Sequence, residues 1–148
     1  MDELDLRIRN HIYSSFVRDG TAAAPAETAE ELELAETKVS DAYRRLHDAH
    51  ALVLEPGSLR IRMLNPFSVV ETPHRVRCAG RSWFANCAWD ALGIPAALHA
   101  DGRVASACPD CAEPLELEVV DGSLARGGEL LVHFVVPARR WWDDIGFT

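Results

Sequence analysis

A chain of 148 residues, 48% hydrophobic and 26% charged, has the make-up of an ordinary folded protein and is long enough for one domain or two small lobes. A net charge of −8 argues against a general nucleic-acid-binding surface and fits solubility instead. No apolar run reaches the roughly 18–20 residues of a membrane span, and MDELDLRIRN does not open like a secretion signal, so the expectation is a soluble cytoplasmic protein whose four cysteines are thiols.

Leu4, Ile8, Ile12 and Phe16 recur at helical spacing, and Gly20 closes that first helix. PAETAEELEL and TKVSDAYRRLHDAH predict two more helices. ALVL and LRIRML, on either side of Pro56-Gly57, predict a β-hairpin. Three helices followed by a hairpin is the winged-helix order, assigned here to a lobe of residues 1–64. That lobe carries 8 Lys/Arg against 12 Asp/Glu, a net charge of −4. Its third helix mixes Lys38, Arg44 and Arg45 with Asp41 and Asp48, and the hairpin offers only Arg60 and Arg62. A reader of DNA needs a basic stripe for the phosphates. A structural role, or homodimer formation, is therefore expected ahead of nucleic-acid binding, with a metal-responsive winged-helix regulator as a rival.

NPFSVVETP, interrupted by Pro66 and Pro73, reads as the joint, and residues 65–148 form the second lobe. HRVRCAG predicts a strand that turns at Gly80. RSWFANCAWDALGIPAALH predicts a helix from about Ala85, broken or ended by Pro95. RVASACPDCAEPLELEVVDG and ELLVHFVVP alternate as strands do. The fold class that follows is α+β: a winged-helix-like three-helix lobe with a hairpin, then a mixed α/β lobe with a small, largely antiparallel sheet.

Four thiols need weighing. Cys78 lies in a strand and reads as structural. CPDC (Cys108 and Cys111) is a C-x-x-C pair, which suggests either a zinc knuckle or a redox dithiol. Structural zinc needs four ligands, and only His99 or His133 could complete a set through the fold. A thioredoxin-type dithiol opens a helix, whereas this one leads into a strand. Cys87 stands apart because Asp90 follows one helical turn later, amid Trp83, Phe84 and Trp89. A helix N-terminus favours the thiolate, while a neighbouring carboxylate opposes it unless one of the pair keeps a proton. Such a pair can be core, a metal site, or a nucleophile with its proton carrier.

The run Trp83-Phe84-Ala85-x-Cys87-Ala88-x-Asp90-Ala91-Leu92, the following Ile94-Pro95-Ala96, Cys108 and the segment VHFVVP together resemble the organomercurial (alkylmercury) lyase family. The resemblance implies protonolytic cleavage of a carbon–mercury bond to give R–H and Hg(II), with no organic cofactor. It makes Cys87 the thiol that takes mercury and Asp90 the proton carrier, with Cys108 at a structural position. Mercury is soft, so sulfur is its matched donor. The family's second catalytic thiol falls where ARRWWDDIGFT places Thr148 or the residue after it, so by the resemblance either the next residue supplies that thiol or this chain is a relative that has lost or altered the lyase reaction. Cys108 and Cys111 remain further candidate metal ligands. The expected partner is a small organomercurial or another thiol-reactive ligand, and a thiol protein that binds soft metal without turnover is the alternative.

Overall fold

The computed structural model describes residues 1–146, and Thr148 lies outside the described residues. The chain divides into two compact units, Met1–Glu71 and Thr72–Thr148.

In the first unit, α1 (Glu3–Asp19) starts at a reciprocal cap. The Asp2 carboxylate accepts from the Asp5 amide at 2.8 Å, and Asp5 accepts in return from the Asp2 amide at 3.2 Å. The helix stops at Gly20, which supplies the left-handed φ of 79° that a side chain would resist. α2 (Pro25–Leu32) begins with proline, where a missing N–H costs nothing. α3 (Glu36–Asp48) buries Val39, Ala42, Tyr43 and Leu46 at helical spacing. The Tyr43 hydroxyl donates to the Ala23 carbonyl at 2.9 Å and accepts from Thr28 Oγ1 at 2.8 Å. Burial pushes this phenol up to about 12. The hairpin follows as β1 (Val53–Leu54) and β2 (Ile61–Leu64), so the three helices precede an antiparallel strand pair.

The segment read from the sequence as a joint holds regular structure after all. β3 (Phe67–Ser68) pairs antiparallel with β2, next to a cis Asn65–Pro66 peptide. Phe67 is buried, its ring edge-on to Phe16 with centroids 5.5 Å apart. Pro66 sits before the strand, outside its hydrogen-bond ladder, so it does not prevent pairing.

The second unit contains β4 (Arg75–Cys78), β5 (Arg81–Ala85), α4 (Ala88–Leu98), β6 (Gly102–Ala107), β7 (Pro114–Val120), β8 (Ser123–Arg126) and a 3₁₀ helix (Ala138–Asp143). Its strands lie in the order β5-β4-β6-β7-β8, every neighbour antiparallel. α4 packs on β4, β5 and β6. Ala91, Ile94 and Pro95 are buried with Val76, Trp83, Ala85 and Val104. Gly102 lies under Pro95: a Cβ there would come within 2.5 Å of the Pro95 ring.

Three expectations need correction. RSWFA is the strand β5, hairpinned to β4 through Ala79-Gly80, and the helix begins only at Ala88. Pro95 neither breaks nor ends α4, which runs on to Leu98 while the proline ring packs on Gly102. ELLVHFVVP forms no strand: Leu131 and Val135 are 95% and 74% exposed. Alternation describes which face a side chain would take, but a strand also needs a ladder partner. The last strand of the sheet is instead β8, joined to β7 through Asp121-Gly122 with both φ positive at 50° and 71°, the signature of a tight hairpin turn. Among the described residues no helix is long and apolar enough to cross a membrane.

Candidate active site

Cys87 sits where β5 hands over to α4. Two hydrogen bonds fix the strand's exit: the Ala85 amide donates to the His74 carbonyl at 2.9 Å, and Thr72 Oγ1 donates to the Ala85 carbonyl at 2.7 Å. The His74 amide donates in turn to Thr72 Oγ1 at 3.2 Å, and His74 Nδ1 lies 2.8 Å from Ser106 Oγ on β6. Burial lowers the His74 pKa, so this imidazole resists taking a proton.

The chain then reaches Cys87 in extended conformation (φ −147°, ψ 177°), and the cysteine acts as N-cap of α4. Its carbonyl accepts from the Ala91 amide at 3.0 Å, and its sulfur accepts from the Asp90 amide at 3.4 Å. Serine, threonine, aspartate and asparagine are the preferred caps. A sulfur in this place is a weaker cap, so helix stability alone does not account for it.

The Cys87 pKa is pushed up, first by burial and then by the adjacent Asp90 carboxylate, against the opposing pull of the Asp90 and Trp89 amides. Burial thus outweighs the helix N-terminus, which sequence reasoning had favouring the thiolate. The Asp90 pKa is also pushed up by burial, against hydrogen bonds from Asn86 and Cys87 that stabilise its charge. Asn86 Nδ2 donates to Asp90 Oδ2 at 3.1 Å. The Cys87 thiol and the Asp90 carboxyl therefore share a hydrogen bond in a half-buried setting where both are reluctant to ionise. Such an arrangement is chemically able to hold or pass a proton beside a sulfur.

Asn86, Thr72 and His74 went unnoticed in the sequence. Asn86 had a readable signal, since it stands four residues before Asp90; Thr72 and His74 had none, because β-pairing brings them to Ala85. The aromatic surroundings also differ from expectation. Trp83 is buried on the sheet face that α4 covers, whereas Phe84 takes the opposite face, as strand periodicity requires, under the Arg75 guanidinium at 5.5 Å. Trp89 is 59% exposed and meets the Phe134 ring edge-on at 6.5 Å. On the face of Phe84, a hollow of about 430 Å³ is lined by Arg75, Arg77, Arg103 and Arg126 with Glu116 and Glu118, and it does not include Cys87.

Cys78 is buried, with its sulfur 3.7 Å from the Ala100 carbonyl. Cys108 and Cys111 flank the β6–β7 turn, half-buried and exposed respectively. His99 ends α4 and His133 is exposed. Among the described residues, no three His, Cys, Asp or Glu side chains gather as a metal site would require.

The family model MerB, described as alkylmercury lyase, matches residues 67–148, more than half of the chain. The chain belongs to the alkylmercury lyase family. A solved relative is the mercury-bound form of MerB2, which shares 26% sequence identity with a TM-score of 0.72. The match covers 87% of this chain and 62% of that one, so the chain spans less than two thirds of that relative's length. No curated protein matches. Within the alkylmercury lyase segment lie Cys87, Asp90, Cys108 and Cys111.

Proposed function

We propose that this protein cleaves organomercurials by protonolysis, with Cys87 as the mercury-binding thiol and Asp90 as the proton donor. One observation carries the reading: a thiol that caps α4 stands beside a half-buried carboxyl, and burial raises the pKa of both. Family membership supports it.

In the first step the Cys87 sulfur displaces the co-ligand X of R–Hg–X. A sulfur–mercury bond forms, and the thiol proton leaves with X as HX or passes to Asp90 if that carboxyl is ionised. In the second step a thiolate donor adds to mercury and raises electron density on the bound carbon. Asp90 delivers its proton to that carbon, R–H leaves, and Hg(II) stays on sulfur. That second donor is a thiolate, from the protein or from a small thiol in solution. Asn86 holds the Asp90 carboxyl towards Cys87 throughout. Mercury here is substrate and product, and no organic cofactor takes part.

The test is release of arene from an arylmercurial in the presence of excess small thiol. Wild type is expected to turn over, and Cys87→Ser to lose both binding and release because oxygen is too hard a donor for mercury. Equal rates for the two proteins would refute the proposal. Binding without release in wild type would favour a thiol protein that holds soft metal without turnover.

A further inference from the structure

The Cys108–Cys111 pair lies at the same end of the sheet as Cys87. β5 ends at Ala85, β4 begins at Arg75 and β6 ends at Ala107, and these antiparallel strands are neighbours with Phe84 opposite Arg75 and Arg75 opposite Ala105. α4 gives the same answer independently. It leaves Cys87, crosses the sheet until Pro95 covers Gly102, and β6 then returns from Gly102 to Ala107. Two strand spacings separate the β5 and β6 exits, roughly 10 Å between backbones.

The turn itself is built around sulfur. The Ala112 amide donates to the Cys108 carbonyl and the Cys108 amide to the Glu113 carbonyl, both at 2.9 Å, which closes the loop. The Cys108 sulfur accepts from the amides of Cys111 and Asp110 and from the Cys111 thiol. These donors pull the Cys108 pKa below that of an ordinary thiol, against smaller opposing effects of burial and of Asp110. The two sulfurs are thus neighbours on one closed turn. No third His, Cys, Asp or Glu gathers with them among the described residues, so the pair lacks the set a tetrahedral zinc demands.

We infer that Cys108 and Cys111 form a two-coordinate thiolate clamp for inorganic Hg(II), which draws the product off Cys87. The clamp discriminates by valence. R–Hg⁺ has one strong position left and gains a single sulfur, whereas Hg(II) takes two sulfurs and gains the chelate. The transfer is ligand exchange with no change of oxidation state. The Cys108 thiolate forms a bond to mercury in Cys87–S–Hg–SR′, where R′S⁻ is a small thiolate, and the Cys87–mercury bond breaks. The Cys111 sulfur then displaces R′S⁻, which leaves as R′SH with the Cys111 proton, and Cys87 is reprotonated from solvent. The transfer rests on the proposed lyase reading; the clamp does not.

The test uses the reduced full chain and HgCl₂ at one equivalent, with phenylmercuric acetate in a parallel arm. Native alkylation by iodoacetamide, mapped by peptide mass, should show Cys108 and Cys111 protected by HgCl₂ while Cys87 keeps its metal-free rate. Competition with a soluble dithiol should show Hg(II) affinity falling by about 10²–10⁴-fold in Cys111→Ala or Cys108→Ala, the loss of an intramolecular second ligand. It should stay unchanged in Cys87→Ala. Phenylmercury should show no such drop in Cys111→Ala. Both variants retain the backbone bonds of the turn, and Cys111 is exposed, so folding is not at stake. Protection of Cys87 with metal-free rates at Cys108 and Cys111, or Hg(II) affinity within about 3-fold of wild type in Cys111→Ala, would overturn the clamp. A protein that releases no arene but passes these tests would refute the lyase reading and leave the clamp standing.

Discussion

The Asp90 amide donates to the Cys87 sulfur at 3.4 Å while the Cys87 thiol donates back towards the Asp90 carboxyl. The reciprocity resembles a capping box in which sulfur replaces a hydroxyl. Oxygen is the better cap and sulfur the better mercury ligand. Cys87→Ser should therefore raise stability by about 0.5–1 kcal/mol, read as a higher Tm, while eliminating mercury binding. Loss of stability would show that Cys87 is held by packing, with capping secondary.

Thiol reactivity should follow the environments of the four cysteines. Burial raises the pKa of Cys78 and Cys87, whereas Cys108 is lowered by its ring of donors. Near neutral pH, iodoacetamide should label Cys108 well ahead of Cys87, with Cys78, almost fully buried, last. Labelling of Cys87 first would mean that the helix terminus outweighs burial.

Asp90 and Asp5 should pull stability in opposite directions with pH. The Asp90 pKa is raised by burial, so the folded state keeps a proton that the unfolded chain gives up. Its destabilising effect is absent below the unfolded value, near 3.8, and grows as pH rises through the folded value. Asp90→Asn should thus be more stable than wild type at neutral pH, and the gain should vanish below about pH 4. Asp5 is the reverse. Its side chain is buried and bonded to Arg45 at 2.7 Å, which holds its carboxyl below the usual value. Its contribution is present above 3.8 and disappears as pH falls through the lowered folded value. Arg45→Ala should cost about 1–3 kcal/mol at neutral pH by leaving that carboxylate without its main partner, and less in acid, measured by urea denaturation at each pH.

Three helices followed by a hairpin should not bring DNA binding with them. Two of the three cations on α3 are already engaged: Arg44 pairs with Asp41 at 2.8 Å and Arg45 with Asp5 at 2.7 Å. On the hairpin, Arg60 lies 3.7 Å from Glu55. Affinity for duplex DNA should stay in the non-specific range of roughly 10⁻⁴–10⁻⁶ M at physiological salt. A tight, salt-dependent shift with a defined duplex would contradict this.

The elements that the sequence announced were those with local signals. Ile8, Ile12 and Phe16 spaced along α1, with Gly20 at its end, need no tertiary information, and neither does a Pro-Gly hairpin. The spacing of Cys87 and Asp90 was equally local. What escaped was non-local. β5 went unread and the helix was started about three residues early, at Ala85, because the partner β4 lies across a turn, and residues 129–137 have a strand's alternation without a ladder partner. Asp121-Gly122 was a legible hairpin signal, yet β8 beyond it, all four residues exposed, has no buried face to mark it. The balance at Cys87 was illegible for the same reason: burial, which settles the direction of its pKa, is a property of the assembled sheet and helix.

The central claim is that Asp90 supplies the proton that releases the carbon. Its most direct test is single-turnover arene release from a preformed Cys87–arylmercury adduct, comparing wild type with Asp90→Asn. The amide keeps the shape and the Asn86 contact but has no transferable proton, so adduct formation should be unchanged and release should slow by about 10²–10⁴-fold. Release at the wild-type rate from the Asp90→Asn adduct would contradict the account.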